Sequence, residues 1–152
     1  CLFLQVKIGF IYFKPNKVQA EVVSRPAAGA TTNMGIQDFE FWFCKNYENF
    51  RGKDEETPFE QHFLHALIAP RKVHVASAEN DIWAGPESQF LCTAAASEVY
   101  ELYGKKGFVF EEEDFLKTGK YLNDGNLGFC YRSGNHYFSR DDWHGLFDFM
   151  NK

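Results

Sequence analysis

The sequence predicts an α/β fold built on a mostly parallel sheet. Two short apolar runs, at residues 72–78 and 126–133, have the length and composition of buried strands. Between them, residues 86–104 carry apolar side chains at helical spacing and end at Gly104, a natural helix C-cap. A strand, a helix and a second strand in this order are typical of parallel strands joined by a crossover helix.

Composition and charge are those of a globular chain with one core, and we predict a single domain over residues 1–152. The chain has 152 residues, of which 45% are hydrophobic and 24% charged. Its net charge is −5 and it contains no basic run, so we expect no nucleic-acid partner. No apolar stretch reaches the roughly 18 residues of a membrane-spanning helix, so we expect no membrane association.

The sequence offers little support for a metal site. The four cysteines are Cys1, Cys44, Cys92 and Cys130. They form no Cys-x-x-Cys pair, which excludes a zinc ribbon and a thioredoxin-type motif, and their disulfide pairing stays open. His62 and His65 lie three residues apart, as helical metal ligands can, but no third ligand is implied nearby. We predict no metal and no cofactor, and we interpret the acidic run 111–114 as a solvated loop.

The first third of the chain is predicted to hold one strand and two loops, and residues 18–23 fit either a second short strand or irregular structure. Residues 2–13 are apolar at most positions, which is typical of an interior strand. Residues 24–35 are rich in Ala, Thr and Gly and show no period, and residues 45–56 are polar. Both segments are predicted loops.

A helix is predicted from Thr57 to Pro70. Thr57 and Glu60 have the spacing of a capping box, and Pro58 lies at the first helical position, where its missing N–H costs nothing. Pro70 ends the helix, because proline blocks the backbone turn. The apolar face is predicted to comprise Phe59, Phe63, Ala66 and Leu67.

The rest of the chain contains the strand, helix and strand already described, and what comes after them. In the helix at residues 86–104, the residues that recur at helical spacing are Phe90, Ala94, Ser97, Tyr100 and Leu102. Residues 105–123 are predicted to be an excursion with little regular structure. After the second strand, Gly134 and Asn135 predict a turn, and Ser139 predicts the N-cap of a terminal helix. The apolar side of that helix is predicted to comprise Trp143, Leu146, Phe147, Phe149 and Met150.

The candidate catalytic residues are Asp81 and His136, each a few residues beyond the end of a predicted strand. In open α/β sheets, chemistry occurs where the chain leaves the carboxyl ends of the strands. The order of strand, acid, helix, strand and histidine matches the second half of a Ser-His-acid triad in an α/β-hydrolase fold. In the alternative interpretation Asp81 caps the helix that begins near Pro86, and His136 is a loop histidine. His74, in a strand, and His144, in a helix, are interpreted as structural.

The serine nucleophile that such a triad needs is not evident. No Gly-x-Ser-x-Gly occurs, and no serine lies on a turn between a strand and a helix. We therefore predict a chain with an acid and a base but without a nucleophile.

Several motifs, in fixed order, resemble the C-terminal half of bacterial glucuronoyl esterases, the fifteenth carbohydrate-esterase family. The resemblance covers residues 38–152. The motifs are Phe41-Trp42-Phe43-Cys44-Lys45-Asn46-Tyr47, Pro58-Phe59-Glu60-Gln61-His62, Leu67-Ile68-Ala69-Pro70-Arg71, Ala76-Ser77-Ala78-Glu79-Asn80-Asp81-Ile82-Trp83-Ala84, Val99-Tyr100-Glu101-Leu102-Tyr103-Gly104-Lys105-Lys106-Gly107, Gly125-Asn126-Leu127-Gly128-Phe129, Arg132-Ser133-Gly134-Asn135-His136, Asp142-Trp143 and Phe147-Asp148-Phe149.

The resemblance implies the C-terminal portion of a three-layer α/β-hydrolase fold. The family cleaves esters between lignin alcohols and the glucuronic acid of xylan with a Ser-His-acid triad and no metal. His136 would then be the general base, Asp81 the acid, and Trp83 a residue against the sugar. Because Trp83 follows Asp81 by two residues, an extended loop would project both side chains to the same side. The implied partner is a glucuronoxylan or lignin–carbohydrate ester, and the implied location is secreted or periplasmic.

Departures from the family pattern occur near the front of the chain. The family's nucleophilic serine would precede residue 1, so we expect a fragment that is inactive alone and that pairs with the missing N-terminal half of the fold. Ser24-Arg25 fits the family, but residues 16–23 lack its glycine-rich turn and glutamate, and Ala30 replaces a substrate-binding glutamate. The runner-up interpretation is a degenerate, non-catalytic carbohydrate-binding or interaction module. The third interpretation is a small α/β ligand-binding domain that lies outside the family.

Overall fold

A computed structural model of the chain describes residues 45–50 and 62–152, in which a three-stranded sheet carries helices on both faces. The strands are β1 (Val73–Ala78), β2 (Lys120–Leu122) and β3 (Leu127–Arg132). The helices are α1 (His62–Ala66), α2 (Pro86–Ala95), α3 (Ser97–Leu102) and α4 (Arg140–Asn151). Three 3-10 turns cover Lys45–Phe50, Ile82–Ala84 and Glu112–Asp114. The strand predicted at residues 2–13, the loop at 24–35 and the helix start at Thr57 lie outside the described residues.

The two predicted strands are confirmed, and they pair in parallel. β1 and β3 are in register from Val73 opposite Leu127 to Ala78 opposite Arg132. All six residues of β3 are buried, because helices cover both of its faces. Because β1 and β3 are parallel and in register, the carboxyl ends of the two strands lie side by side at one edge of the sheet.

The described sheet is mixed, so the prediction of a mostly parallel sheet holds only for the pairing of β1 with β3, while residues 105–123 have little regular structure, as predicted. Residues 120–122 form β2, an antiparallel strand on the far side of β3, in the sheet order β1-β3-β2. A 2.8 Å ion pair between Lys120 and Asp114 ties this strand to the 3-10 turn before it. The acidic run is thus a capped turn in which Glu111, Glu112 and Glu113 are exposed to solvent, as predicted, whereas Asp114 is only 7% exposed.

One face of the sheet packs against α2 through an aromatic cluster centred on Phe90. This ring is fully buried. It makes edge-on contacts with four neighbouring rings, those of Phe108, Phe110, Phe115 and Phe129, at centroid distances of 5.0, 5.0, 5.1 and 5.1 Å. Such contacts stabilise a core beyond simple area burial. The cluster fixes α2 on the sheet, and α2 follows directly from the turn that leaves β1.

The other face packs against α4, whose N-cap was predicted correctly. The Ser139 hydroxyl accepts from the Asp142 N–H, and the Asp142 carboxylate accepts from the Ser139 N–H, which is a complete capping box. Of the five residues predicted for the apolar side, Leu146 and Phe149 are buried and the other three are at least 44% exposed.

Small residues allow α4 to approach the sheet closely. Phe149 lies over Gly128 of β3, where a Cβ would come within 2.9 Å of the ring. Conversely, Tyr121 of β2 lies against Gly145 of α4, where a Cβ would come within 2.5 Å of the ring. The sheet and the helix therefore each supply one large and one small residue to the contact.

The helices before the second strand depart from prediction in detail. The helix predicted over 86–104 is broken at Ala96 into α2 and α3, although Phe90 and Tyr100 are buried as expected. In α1 the predicted apolar face is only partly right: Ala66 packs against the core, but Phe63 is 44% and Leu67 77% exposed. His65 and the following Ile68 are buried instead, and Phe59 lies outside the described residues. A five-residue helix with apolar side chains on several sides leaves its buried face to tertiary packing.

Two further features bear on the predicted partners and disulfides. In the described part of the chain, no helix is long and apolar enough to cross a membrane. Cys130 is a buried free thiol in β3, and burial raises its pKa to about 12, which disfavours the reactive thiolate. Cys1 and Cys44 lie outside the described residues.

Candidate active site

Asp81 lies in the turn that leaves the carboxyl end of β1. Its N–H donates to the carbonyl of Ala78, and its carbonyl accepts from the N–H of Ala84, so the backbone folds at once into the 3-10 turn Ile82–Ala84. The side chain of Gln89, in the first turns of α2, donates to the Ala84 carbonyl at 2.9 Å. Asp81 is therefore held between β1 and the start of α2.

His136 lies in the loop after β3, and backbone hydrogen bonds join this loop to the one that carries Asp81. The N–H of Glu79 donates to the Arg132 carbonyl at 2.9 Å, and that of Asn80 to the Gly134 carbonyl at 3.0 Å. Gly134 adopts φ +103°, a conformation that side chains disfavour, and the predicted turn is confirmed at this residue. The parallel pairing of β1 and β3 thus continues into the two loops.

Asp81 and His136 are in direct contact. Oδ2 of Asp81 lies 2.6 Å from Nδ1 of His136, with the carboxyl side chain 16% exposed and the imidazole 42% exposed. A carboxylate can only accept, so Nδ1 carries the proton, and Nε2 has the lone pair whenever the imidazole is neutral. The predicted proximity of the two residues is confirmed. Their catalytic roles stay a prediction.

The bond to His136 excludes the alternative that Asp81 is a helix cap. Although Asp81 occupies the N-cap position of the 3-10 turn, its side chain makes no capping hydrogen bond, and Gly85 is the N-cap of α2. The carboxylate faces the imidazole across the two strand ends. Chemically, this arrangement fixes the tautomer of a histidine that can accept a proton at Nε2 and stabilises the resulting imidazolium.

Arg132 and Asp142 support the histidine loop, a role that was not predicted from the sequence. Nε of Arg132 donates to both carboxylate oxygens of Asp142, at 2.9 and 2.8 Å. The other guanidinium nitrogens donate to the carbonyls of Ser133 at 2.9 Å, Asn135 at 3.3 Å and Tyr137. Both residues are buried, at 7% and 1% exposed. The available signal was a charged residue at the end of an otherwise apolar strand, followed ten residues later by an acid.

Trp83 lies in the 3-10 turn, and its side chain lies outside what the structure describes. The expectation of an extended loop after Asp81 is wrong, because residues 82–84 turn helically. The two-residue spacing therefore does not place Trp83 and Asp81 on the same side. A sugar-binding role for Trp83 depends on the family resemblance alone.

The remaining histidines of the described region lie on other elements, namely α1, β1 and α4. Burial lowers the pKa of His65 and of His74 to about 4, which keeps both neutral near pH 7. Within residues 45–50 and 62–152, no three of His, Cys, Asp and Glu come together as metal ligands. For His62 and His65, the described residues therefore supply no third metal ligand.

Comparisons of the sequence with a family model and with known proteins all point to the same family. Residues 10–104 match the family model described as glucuronyl esterase, fungi. The chain is 32% identical over 129 residues to the carbohydrate esterase MZ0003 from an unknown prokaryotic organism, a match that covers 85% of this chain and 29% of that protein. It is 39% identical over 81 residues to a 4-O-methyl-glucuronoyl methylesterase of Thermothelomyces thermophilus, covering 51% of this chain and 20% of that protein.

Solved structures of esterases from the same family are also similar to this chain. A promiscuous CE15 esterase from a marine bacterial metagenome superposes with a TM-score of 0.75 at 29% identity, over 86% of this chain and 34% of that one. A glucuronoyl esterase from Solibacter usitatus superposes with a TM-score of 0.71 at 34% identity, over 84% of this chain and 32% of that one. The chain therefore spans about a third or less of the length of the relatives it matches.

Proposed function

Because the chain belongs to the glucuronoyl esterase family, carbohydrate esterase family 15, we propose that it supplies the general base and the acid of a serine esterase. The substrate class would be glucuronoyl esters that link lignin alcohols to glucuronoxylan. The observation that carries the proposal is the 2.6 Å contact between Asp81 Oδ2 and His136 Nδ1 at the carboxyl ends of two parallel strands. In α/β enzymes, catalytic groups assemble at that edge.

In the proposed reaction, Nε2 of His136 takes the proton of a serine hydroxyl as the serine oxygen attacks the ester carbonyl. The imidazolium that forms is stabilised by Asp81, which stays ionised. His136 then gives this proton to the alcohol oxygen as the C–O bond breaks, which leaves an acyl-serine. Water repeats the sequence through the same base and releases glucuronate. No step needs a metal or a cofactor.

The nucleophilic serine is proposed to come from a part of the fold that the longer relatives contain and that this chain does not match. The α/β-hydrolase architecture and the single domain predicted from the sequence belong to the same proposal. Trp83 is proposed to contact the sugar. A secreted or periplasmic location is proposed, since the polymeric substrate lies outside the cell.

The non-catalytic alternative has less support. A module that only binds carbohydrate has no need for an imidazole and a carboxylate at 2.6 Å with the ring 42% exposed. Close acid–histidine pairs in clefts are more typical of proton transfer. The family relatives with assigned names are esterases.

The proposal is tested with the 152-residue chain and with a chimera that joins it to the part of the Solibacter usitatus enzyme that it does not match. The substrates are the methyl and benzyl esters of glucuronate. We expect no turnover by the chain alone and measurable turnover by the chimera. In the chimera, His136→Ala should lower kcat/KM by roughly 10⁴-fold or more, and Asp81→Asn by roughly 10⁴-fold.

The matched control is His144→Ala, which removes an exposed histidine of α4 and should leave turnover unchanged. Turnover by the chimera that survives His136→Ala would refute the assignment of the base. Turnover by the chain alone that disappears on His136→Ala would refute the proposed origin of the serine.

A further inference from the structure

Resting on the proposed function, we propose that Arg132 is a positioning residue that holds the His136 loop in register with Asp81, and that Asp142 anchors it. The inference combines three sets of contacts. They run from helix α4 to Asp142, from Asp142 to Arg132, and from Arg132 to both loops at the site.

The first set of contacts fixes the anchor. Asp142 is 1% exposed, and it lies in the first turn of α4. Its Oδ2 accepts from the Ser139 N–H at 2.6 Å, and its own N–H donates to the Ser139 hydroxyl at 3.1 Å. A carboxylate held in a capping box has little rotational freedom. Asp142 is therefore a rigid acceptor for the guanidinium.

The second set orients Arg132. A single nitrogen, Nε, donates to both oxygens of Asp142, at 2.9 and 2.8 Å. This arrangement occupies one edge of the planar guanidinium and leaves Nη1 and Nη2 to donate elsewhere. The Tyr137 ring lies over the group at 4.4 Å from its carbon and covers one face. The direction of the remaining donors is thus fixed.

The third set connects Arg132 to both halves of the site. Its guanidinium donates to the carbonyls of Ser133, Asn135 and Tyr137, which lie on both sides of His136 in the chain. Its backbone carbonyl accepts from the N–H of Glu79, two residues before Asp81. One residue therefore bonds to the loop that carries the base and to the loop that carries the acid.

Positioning of this kind matters because the contact between Asp81 and His136 is short and the imidazole is 42% exposed. Without Arg132, the carbonyls of this loop would lose their hydrogen-bond donors. The exposed ring would then have many alternative positions, and each of them would break the bond to Asp81. The bond from the acid is what sets the tautomer that leaves Nε2 as the base. A displaced loop would therefore yield a histidine of mixed tautomer.

The primary experiment is nitrogen NMR of the 152-residue chain with labelled histidine, at a pH where His136 is neutral. We expect the wild-type chain to show His136 as the Nδ1–H tautomer and Asp81→Asn to shift it to a mixture. Arg132→Lys keeps a charge for Asp142 but lacks the fork of donors, and we expect it also to give a mixture. The control Lys120→Gln removes the 2.8 Å pair with Asp114 and should keep the wild-type tautomer.

Three further measurements extend the test, and the first two guard against a variant that does not fold. The double variant Arg132→Met with Asp142→Leu replaces both members of the buried pair with apolar groups of similar volume, a change that proteins often tolerate. It should fold and show the mixed tautomer. In the wild-type chain itself, the Nη protons of Arg132 should give separate, slowly rotating signals. In the chimera, Arg132→Lys should lower kcat by roughly 10²-fold and leave KM unchanged.

The outcomes separate this inference from the proposed function. If folded Arg132→Lys and the double variant keep the wild-type tautomer while Asp81→Asn loses it, Arg132 is only structural and the inference is overturned. Fast rotation of the wild-type Nη protons overturns it as well. If the wild-type chain itself lacks the Nδ1–H tautomer, the Asp81–His136 pair fails and both proposals fail with it.

Discussion

Acid should destabilise this protein through two histidines, each of which has a buried ring nitrogen. His65 of α1 is 3% exposed, and His74 lies inside β1 with its ring 5.2 Å from that of Phe149. Within the described residues, Nδ1 of His65 and Nε2 of His74 are buried without a hydrogen-bond partner. Burial, which removes water from the charged form, is the main cause that lowers both pKa values to about 4.

The direction and size of the effect follow from linkage. The pKa of each histidine is 6.5 when exposed and about 4 in the fold, a difference of about 2.5. Between these values the unfolded chain binds more protons, so stability is fully present above pH 6.5 and falls as the pH drops towards 4. At about 1.4 kcal/mol for each tenfold change, the full loss is about 3 kcal/mol per histidine, of which about 2 kcal/mol is lost between pH 7 and pH 5. Two such losses are a large part of the ~5–15 kcal/mol that stabilises a typical domain.

The assay is urea unfolding at pH 7 and pH 5, followed by circular dichroism. His65→Gln and His74→Asn are neutral at both pH values, so each should reduce the difference in unfolding free energy between them by about 2 kcal/mol. His144→Gln, in an exposed position on α4, is the control and should keep the wild-type difference. If both buried-site variants keep it too, these histidines are hydrated in the fold, and the packing of α1 and α4 on the sheet is not as described.

Three other substitutions test the core, the cap and the cleft. Phe90→Ala should lower the unfolding free energy in urea by about 3–5 kcal/mol. The control Leu102→Ala, at a residue that is 86% exposed, should change it by less than about 0.5 kcal/mol. Equal losses of unfolding free energy in the two variants would contradict the aromatic core. Ser139→Ala should cost about 1 kcal/mol in the same assay, because the N-cap of α4 is lost, and no change would mean that the capping box is not formed in solution. Trp83→Ala in the chimera should weaken glucuronate binding measured by calorimetry and leave the unfolding temperature nearly unchanged; a sharp drop in that temperature with intact binding would make Trp83 a core residue.

The sequence predicted the two longer strands and missed the short one. β1 buries Val73 and Val75, and β3 carries the alternating apolar residues Leu127, Phe129 and Tyr131, which are local patterns typical of strands with a buried face. β2 has three residues, two of them exposed, and its pairing with β3 is a tertiary contact that no local pattern records. For the same reason α1 buries His65 although the apolar periodicity favoured Phe63 and Leu67.

In the candidate site, too, some residues were predicted from the sequence and others were not. Asp81 and His136 were found because the order of elements along the chain places both at one edge of a parallel sheet. Arg132 and Asp142 had no role in the site in the sequence analysis, although Asp142 belonged to a recognised capping signal. Their pairing joins a strand end to a helix start across the sheet, and only the fold brings these together. A long-range buried ion pair carries no periodic signal in a single sequence.

The packing of α4 on the sheet also limits how this sequence can change over time. Phe149 occupies the space over Gly128, and Tyr121 the space over Gly145, so each large side chain depends on the absence of a Cβ opposite. The two contacts lie one helical turn apart on α4, which prevents the helix from sliding or rotating by a small step. A single enlargement at residue 128 or 145 collides, and a single reduction at 121 or 149 leaves a void. Divergent homologues are therefore expected to change these residues together: 145 with 121, and 128 with both 149 and 123, because Oδ1 of Asn123 would also lie 2.9 Å from a Cβ at residue 128.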